Sequence, residues 1–206
     1  MPPAKLKFAF LVQAEGRGHM TQAISLFDIL TRNGHEVVCT FIGESKRRKI
    51  PAFFTDNMFC PVIPISSPNF VTDGSNKSIE IFPTILYNAK FLGKYIQSMK
   101  LIDQKIKEFK PDILINFYDF LGGFYYFLFR PKLKYVVIGH QFLAGHPDFP
   151  FEQSRNMEKR LFLSNNRVTS LGAIKKIALS FRPYEPARHG KTVVVPPLIR
   201  KEIKAL

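Results

Sequence analysis

The residues best placed to do chemistry come early. Ala14–Glu15–Gly16–Arg17–Gly18–His19 is a glycine-bearing loop that follows a short apolar run and opens a helical pattern. Glycines there let the backbone turn and approach a ligand, while the helix that follows offers free N–H groups and a positive dipole end to an anion. His19 stands at that helix start. The dipole disfavours imidazolium, which keeps the ring neutral and able to accept a proton. Gly16, Arg17 and Gly18 therefore read as an anion loop, and His19 as a general base beside a phosphorylated substrate. Two other readings stand beside this one. Gly-x-Gly after a strand also serves merely to turn the chain, and it begins the dinucleotide-binding fingerprint. Here, however, Thr21 occupies the place of the third glycine, and only Glu44 is available as the ribose-binding acid.

A second candidate, Asp119, lies in Asn116–Phe–Tyr–Asp–Phe–Leu–Gly–Gly behind another buried strand. An acid there could orient an imidazole and stabilise it once protonated. It could equally cap the next helix, which Asp does well. No His, Cys, Asp or Glu spacing suggests a metal site. His35, His146 and His189 read as ordinary surface histidines.

These residues need a scaffold, and the hydrophobic pattern supplies one. Phe8–Gln13 is a buried strand, Met20–Asn33 a helix with Ile24, Phe27 and Leu30 on one face, and Glu36–Ile42 a strand ended by Gly43. Strand, loop, helix and strand in that order make a βαβ unit with parallel strands. Thr21 reads as an early cap of the helix. Further strands are expected at Val62–Ile65, Ile113–Phe117, Tyr135–Ile138, Ile177–Ser180 and Thr192–Val195. Helices are expected at Thr84–Phe109, Gly122–Phe129 and Glu152–Leu171. The class is α/β, a Rossmann-like, doubly wound and mostly parallel sheet, in one domain over residues 1–198 with 199–206 opening a linker.

Residues 10 to 23, Phe–Leu–Val–Gln–Ala–Glu–Gly–Arg–Gly–His–Met–Thr–Gln–Ala, resemble the first loop of GT-B glycosyltransferases. The resemblance is nearest to the branch of the lipid-II-forming N-acetylglucosaminyltransferase, the galactolipid synthases and the UDP-glucuronosyltransferases. It implies that His19 deprotonates an acceptor hydroxyl, that Gly16, Arg17 and Gly18 approach the donor diphosphate, and that Asp119 pairs with the base. Gly139–His140–Gln141 resembles a His-Glu-Gln-Asn stretch of the lipid II enzyme, which implies acceptor contact by His140 or Gln141. The implied reaction is inverting transfer from a nucleotide-sugar, without metal or cofactor. A GT-B enzyme has a second, donor-binding domain that these residues do not match. A longer chain or a separate donor-binding subunit is expected to supply it, and the 206 residues alone to be inactive.

Charge completes the expectation. Thirty Lys and Arg against 16 Asp and Glu give +14, enough to draw the chain to anionic surfaces. Lys46, Arg47, Arg48 and Lys49 cluster near Phe53, Phe54 and Phe59, with Phe70 and Phe91 further along, a mixture suited to an anionic lipid headgroup layer. The basic residues are scattered and match no nucleic-acid motif. A non-enzymatic, basic carbohydrate- or lipid-binding module, or a solvated basic face over a Phe-rich core, is the competing reading. Cys39 and Cys60 cannot staple a fold of this size. The longest uncharged run, Asn57–Thr72, is broken by Pro61, Pro64 and Pro68 and does not suit a bilayer span. With no recognisable signal peptide, a cytoplasmic protein is expected, peripheral on the membrane at most.

Overall fold

The computed structural model describes residues 4–14, 16–44, 50–68, 86–151, 156–185 and 192–200. Its centre is a seven-stranded sheet whose pairs are all parallel: β1 (Lys7–Val12), β2 (Glu36–Glu44), β3 (Val62–Ser66), β4 (Ile113–Phe117), β5 (Lys134–Ile138), β6 (Lys175–Leu179) and β7 (Thr192–Val195). The helices are α1 (Arg17–Arg32), α2 (Ala52–Thr55), α3 (Leu92–Phe109), α4 (Phe120–Phe129) and α5 (Asn156–Thr169), with a 3-10 helix at His140–Gly145.

The strand order is β3-β2-β1-β4-β5-β6-β7. The chain first winds outward from β1 to β3, then returns to lay β4 on the other side of β1 and winds the opposite way. That reversal opens a crevice beyond the carboxyl ends of β1 and β4, the place where open α/β sheets bind ligands.

Alternation along β1 sends its side chains to two cores. Phe8, Phe10 and Val12 pack with Ala23, Ile24 and Phe27 of α1 on one face. Ala9 and Leu11 pack with Tyr95, Met99, Ile102 and Ile106 of α3 and Leu121, Tyr125 and Tyr126 of α4 on the other. Phe10 has no exposed surface and meets Phe117 of β4 edge-on, with ring centroids 5.1 Å apart. Truncating it to Ala would cost about 3–5 kcal/mol.

Several expected boundaries move. Helix α1 starts at Arg17, so Gly18 lies in its first turn, not in a loop. Gly16 is the N-cap residue, and the Thr21 hydroxyl donates to the Gly18 carbonyl at 2.8 Å instead of capping. Strand β2 does not end at Gly43 but runs through it to Glu44. A Cβ at Gly43 would sit 3.1 Å from Asp119 Oδ2 and 3.2 Å from Ser67 Cβ, so the missing side chain makes room for that carboxylate. Helix α4 begins two residues before Gly122, at Phe120. Of the helices expected at 84–109 and 152–171, residues 84–85 and 152–155 lie outside the described residues. Within the first, residues 86–89 make a separate helical turn, broken at 90–91 from α3; within the second, α5 ends at Thr169, and Gly172 follows it with φ of 80°.

Candidate functional site

The loops after β1, β4 and β5 bring His19, Asp119, His140 and Gln141 to one edge of the sheet. The exit of β1 is tied to β4 by a hydrogen bond from the Gln13 N–H to the Phe117 carbonyl, 3.3 Å. The chain then turns at Gly16, in extended conformation with φ of −130°, into α1. Arg17 and Gly18 are exposed, and the first turn carries no acid. Its N–H groups are uncapped by any side chain among the described residues. Among the described residues, nothing lies within 4 Å of where a Cβ would stand on Gly16 or Gly18. Neither the backbone angles nor the packing of the fold demands glycine at these two positions. The Arg17 guanidinium lies 5.8 Å from the Phe53 ring centroid.

His19, in this first turn, is only 7% exposed. Its Nε2 accepts from the Gln141 side-chain amide at 3.1 Å, which leaves the proton of the neutral ring on Nδ1. The Tyr118 and His140 rings lie nearly parallel to it, at 5.7 Å and 18° and at 6.2 Å and 7°. Burial, reinforced by the neighbouring His140, pulls the His19 pKa down to about 4. Gln22, in the next turn, opposes weakly. It closes no hydrogen bond to the ring, since His19 Nδ1 and Gln22 Oε1 are both buried without partners. The imidazole is neutral at pH 7, with its basic lone pair on Nε2.

Asp119 has no exposed surface and caps α4: its Oδ1 accepts from the Leu121 N–H at 2.9 Å and from the Ser67 hydroxyl at 2.6 Å. Burial pushes its pKa up to about 6, against the pull of those two bonds. Its Oδ2 is buried without a partner. Among the described residues both partners of the carboxylate are thus structural, and neither is His19. The turn before it is braced by Asn116, whose amide donates to the Asp119 carbonyl and accepts from the Asp119 N–H, each at 2.7 Å.

His140 is exposed and Gln141 half-buried at the start of the 3-10 helix. Lys46, Arg47, Arg48 and Lys49 lie outside the described residues, as do Phe70 and His189. His146 is no surface histidine. It is 5% exposed, with Nε2 bonded to the Glu185 carbonyl at 2.9 Å and its ring 4.9 Å from Tyr184, because the chain after β6 folds over it. His35 is half-buried, accepting from the Leu6 N–H at 3.3 Å. Among the described residues no group of three His, Cys, Asp or Glu could hold a metal, and no helix is long and apolar enough to cross a membrane. Sequence reasoning gave no role to Ser67, Asn116, Tyr118 or Asn166. Asn166 and Ser67 are far from the motifs in sequence, and only the sheet order brings them in. Tyr118, one residue before the predicted cap, was within reach of the pattern.

A doubly wound parallel sheet with an uncapped helix start and a buried neutral histidine at its switch point is the arrangement in which open α/β proteins bind their ligands. The chain belongs to glycosyl transferase family 1, whose family model matches residues 6–206. No curated protein matches the sequence. Among solved structures, UGT2 of Phytolacca americana, complexed with UDP-2fluoro-glucose and pterostilbene, superposes with a TM-score of 0.60 at 13% identity, over 96% of this chain and 55% of that one. UGT89C1 of Arabidopsis thaliana, complexed with quercetin, gives 0.58 at 12% identity over 95% and 51%. A UDP-glucosyltransferase of Polygonum tinctorium gives 0.54 at 12% over 96% and 53%. At such identities the likeness is one of fold. The chain spans about half the length of these structures, as an N-terminal GT-B domain does.

Proposed function

We propose that this chain is the acceptor-side half of an inverting glycosyltransferase acting on a nucleotide-sugar donor. The observation that carries the reading is His19, a buried neutral imidazole in the first turn of an uncapped helix, in a chain of this family. His19 Nε2 takes the proton of an acceptor hydroxyl as that oxygen attacks the anomeric carbon. The bond from that carbon to the diphosphate oxygen breaks, and its electron pair leaves with the phosphate. The N–H groups of Arg17, Gly18 and His19 and the α1 dipole meet that growing charge, without calling on a metal. Attack opposite the leaving group inverts the anomeric configuration. Open space around Gly16 and Gly18 supports close approach by the diphosphate. Because the Gln141 amide holds the Nε2 lone pair, the acceptor hydroxyl must take its place, which puts Gln141 and His140 in the acceptor's path. The UDP-2fluoro-glucose bound in the Phytolacca enzyme supports a uridine nucleotide as donor and a hexosyl group as cargo. Donor binding itself is assigned to a further domain or subunit.

The test is transfer or donor hydrolysis by the longest natural form, across a panel of UDP- and GDP-sugars, for wild type and His19→Ala. Loss of a general base lowers turnover roughly 10²- to 10⁴-fold. Unchanged turnover in a folded variant removes His19 from the mechanism.

A second reading, attachment to an anionic lipid surface from the cytoplasmic side, rests on one feature of α4. Phe124, Phe127 and Leu128 form an exposed stripe, Phe127 at 61%, beside exposed Arg130, Lys132 and Lys134. Cosedimentation with phosphatidylglycerol vesicles and not with phosphatidylcholine vesicles, lost in Phe127→Ser/Leu128→Ser, is the expected result. Equal partitioning to both vesicles, or none, rejects it.

A further inference from the structure

Two residues to which the sequence assigns no role touch the surroundings of His19, and one of them carries backbone strain. Tyr118 has φ of 63°, the left-handed region, where a bulky aromatic residue is a rare and costly occupant. Such a conformation persists only where its surroundings over-determine it. The Tyr118 ring stacks on His19 at 5.7 Å and meets Phe142 edge-on at 5.4 Å. Its hydroxyl donates to Asn166 Oδ1 at 2.6 Å, a bond buried at both ends. Asn166, on α5 and 5% exposed, spends its other half on the second neighbour of His19: Nδ2 donates to the Gln141 carbonyl at 2.7 Å. One amide therefore ties the ring that stacks on His19 to the residue that bonds its Nε2.

We infer that Asn166 and Tyr118 are positioning residues for His19, fixing its ring plane and its Nδ1–H tautomer through Gln141, so that the basic lone pair stays on Nε2. The arrangement needs both halves of the amide. The Oδ1 acceptor holds Tyr118 and the Nδ2 donor holds Gln141, so replacing the amide by a carboxylate keeps the first bond and destroys the second. Among the described residues, the titratable groups that face His19 are His140 after β5 and Tyr118 after β4. Burial keeps the Tyr118 hydroxyl protonated by raising its pKa well above the ordinary value. Of these two, His140 adds positive charge as pH falls.

This inference rests on the reading of His19 as the base, but it can be tested apart from it. Imidazole ¹H–¹⁵N correlation spectra of the 206-residue chain report the tautomer and titration of His19 directly. The wild type is expected to show one neutral tautomer, protonated at Nδ1, and to titrate near pH 4. In Tyr118→Phe and Asn166→Asp, mixed tautomers and a titration midpoint shifted toward 6.5 are expected. Gln141→Glu, which offers a carboxylate where the amide donated, should move the proton to Nε2. In the longest natural form, the first two variants should lower kcat roughly 10- to 100-fold, the scale of a misplaced reactive group, with donor KM unchanged and the acid limb of the rate profile moved upward. Tyr118→Phe loses one hydroxyl and keeps the ring, so it decides the matter if Asn166→Asp does not fold. A His19 tautomer and midpoint identical to wild type in folded Tyr118→Phe overturns the inference. Unchanged turnover in His19→Ala would instead overturn the reading beneath it, while the spectra still judged the positioning.

Discussion

Helices α1 and α4 both start at the carboxyl edge of the sheet, on the two strands that flank the switch point, yet they are finished in opposite ways. At α4, Asp119 closes the first turn, Ser67 closes Asp119, and Asn116 braces the turn from below. At α1 the cap is a glycine without a side chain, the next two residues are exposed, and the polar atom His19 Nδ1 is buried and unpaired. Free helix N–H groups are ordinarily satisfied by a side chain, by water or by a ligand. The closed start pins the sheet, and the open one is where the proposed function places the substrate.

The difference is sharpest in turnover. His19→Ala should remove most transfer activity while leaving the melting temperature within a few degrees, since among the described residues the ring forms a single hydrogen bond. Asp119→Ala should do the reverse in stability, costing about 1–3 kcal/mol in denaturant unfolding at about pH 4, where the buried carboxyl is still protonated, because it strands the Leu121 N–H and the Ser67 hydroxyl.

Protons separate the two starts next. His19 has its folded pKa depressed from 6.5 to about 4, so the unfolded chain binds the extra proton and stability falls as pH drops through that window. Asp119 has its folded pKa raised from 3.8 to about 6, so stability falls as pH rises from 3.8 to 6. Each effect is worth about 3 kcal/mol, with opposite slopes that nearly cancel between pH 4 and 6. Asp119→Asn keeps an acceptor for the cap and should expose the histidine slope, with the denaturant midpoint falling on acidification. His19→Ala should expose the aspartate slope, with the midpoint rising. Parallel profiles in the two variants would break the comparison.

The smallest effect is also the most discriminating. Gly18→Ala adds a methyl to empty space in a helix, which should raise stability by up to about 1 kcal/mol. If the position is kept free for a diphosphate, donor KM should rise at the same time. A stabilised variant with unaltered donor KM would make Gly18 incidental.

Much of this was legible in the sequence, and the reason differs from element to element. Strands buried on both faces, such as Phe8–Gln13 and Ile113–Phe117, declare themselves as short β-branched and aromatic runs between turn residues. The Gly16–His19 stretch was readable because the helix pattern of α1 fixes what must precede it. Helix starts were read late, at Met20 and Gly122, because exposed Gly18 and the aromatic Phe120 give no amphipathic signal. Gly43 reads as a stop because glycine weakens strands, whereas its role is to admit a carboxylate contributed from 76 positions away. Asn166 was invisible for the same physical reason. Its partners, Tyr118 and Gln141, are fixed by strand order, and no local pattern encodes that order.

The central claim is that His19 is a neutral base waiting at an open helix start. Its most direct test is the pH dependence of kcat/KM for transfer by the longest natural form, since that ratio reports the free enzyme. Activity should persist on acidification until it falls with a midpoint near pH 4, and His19→Ala should lose both the activity and that limb. A limb centred at 6.5, or one that survives in His19→Ala, would contradict the account.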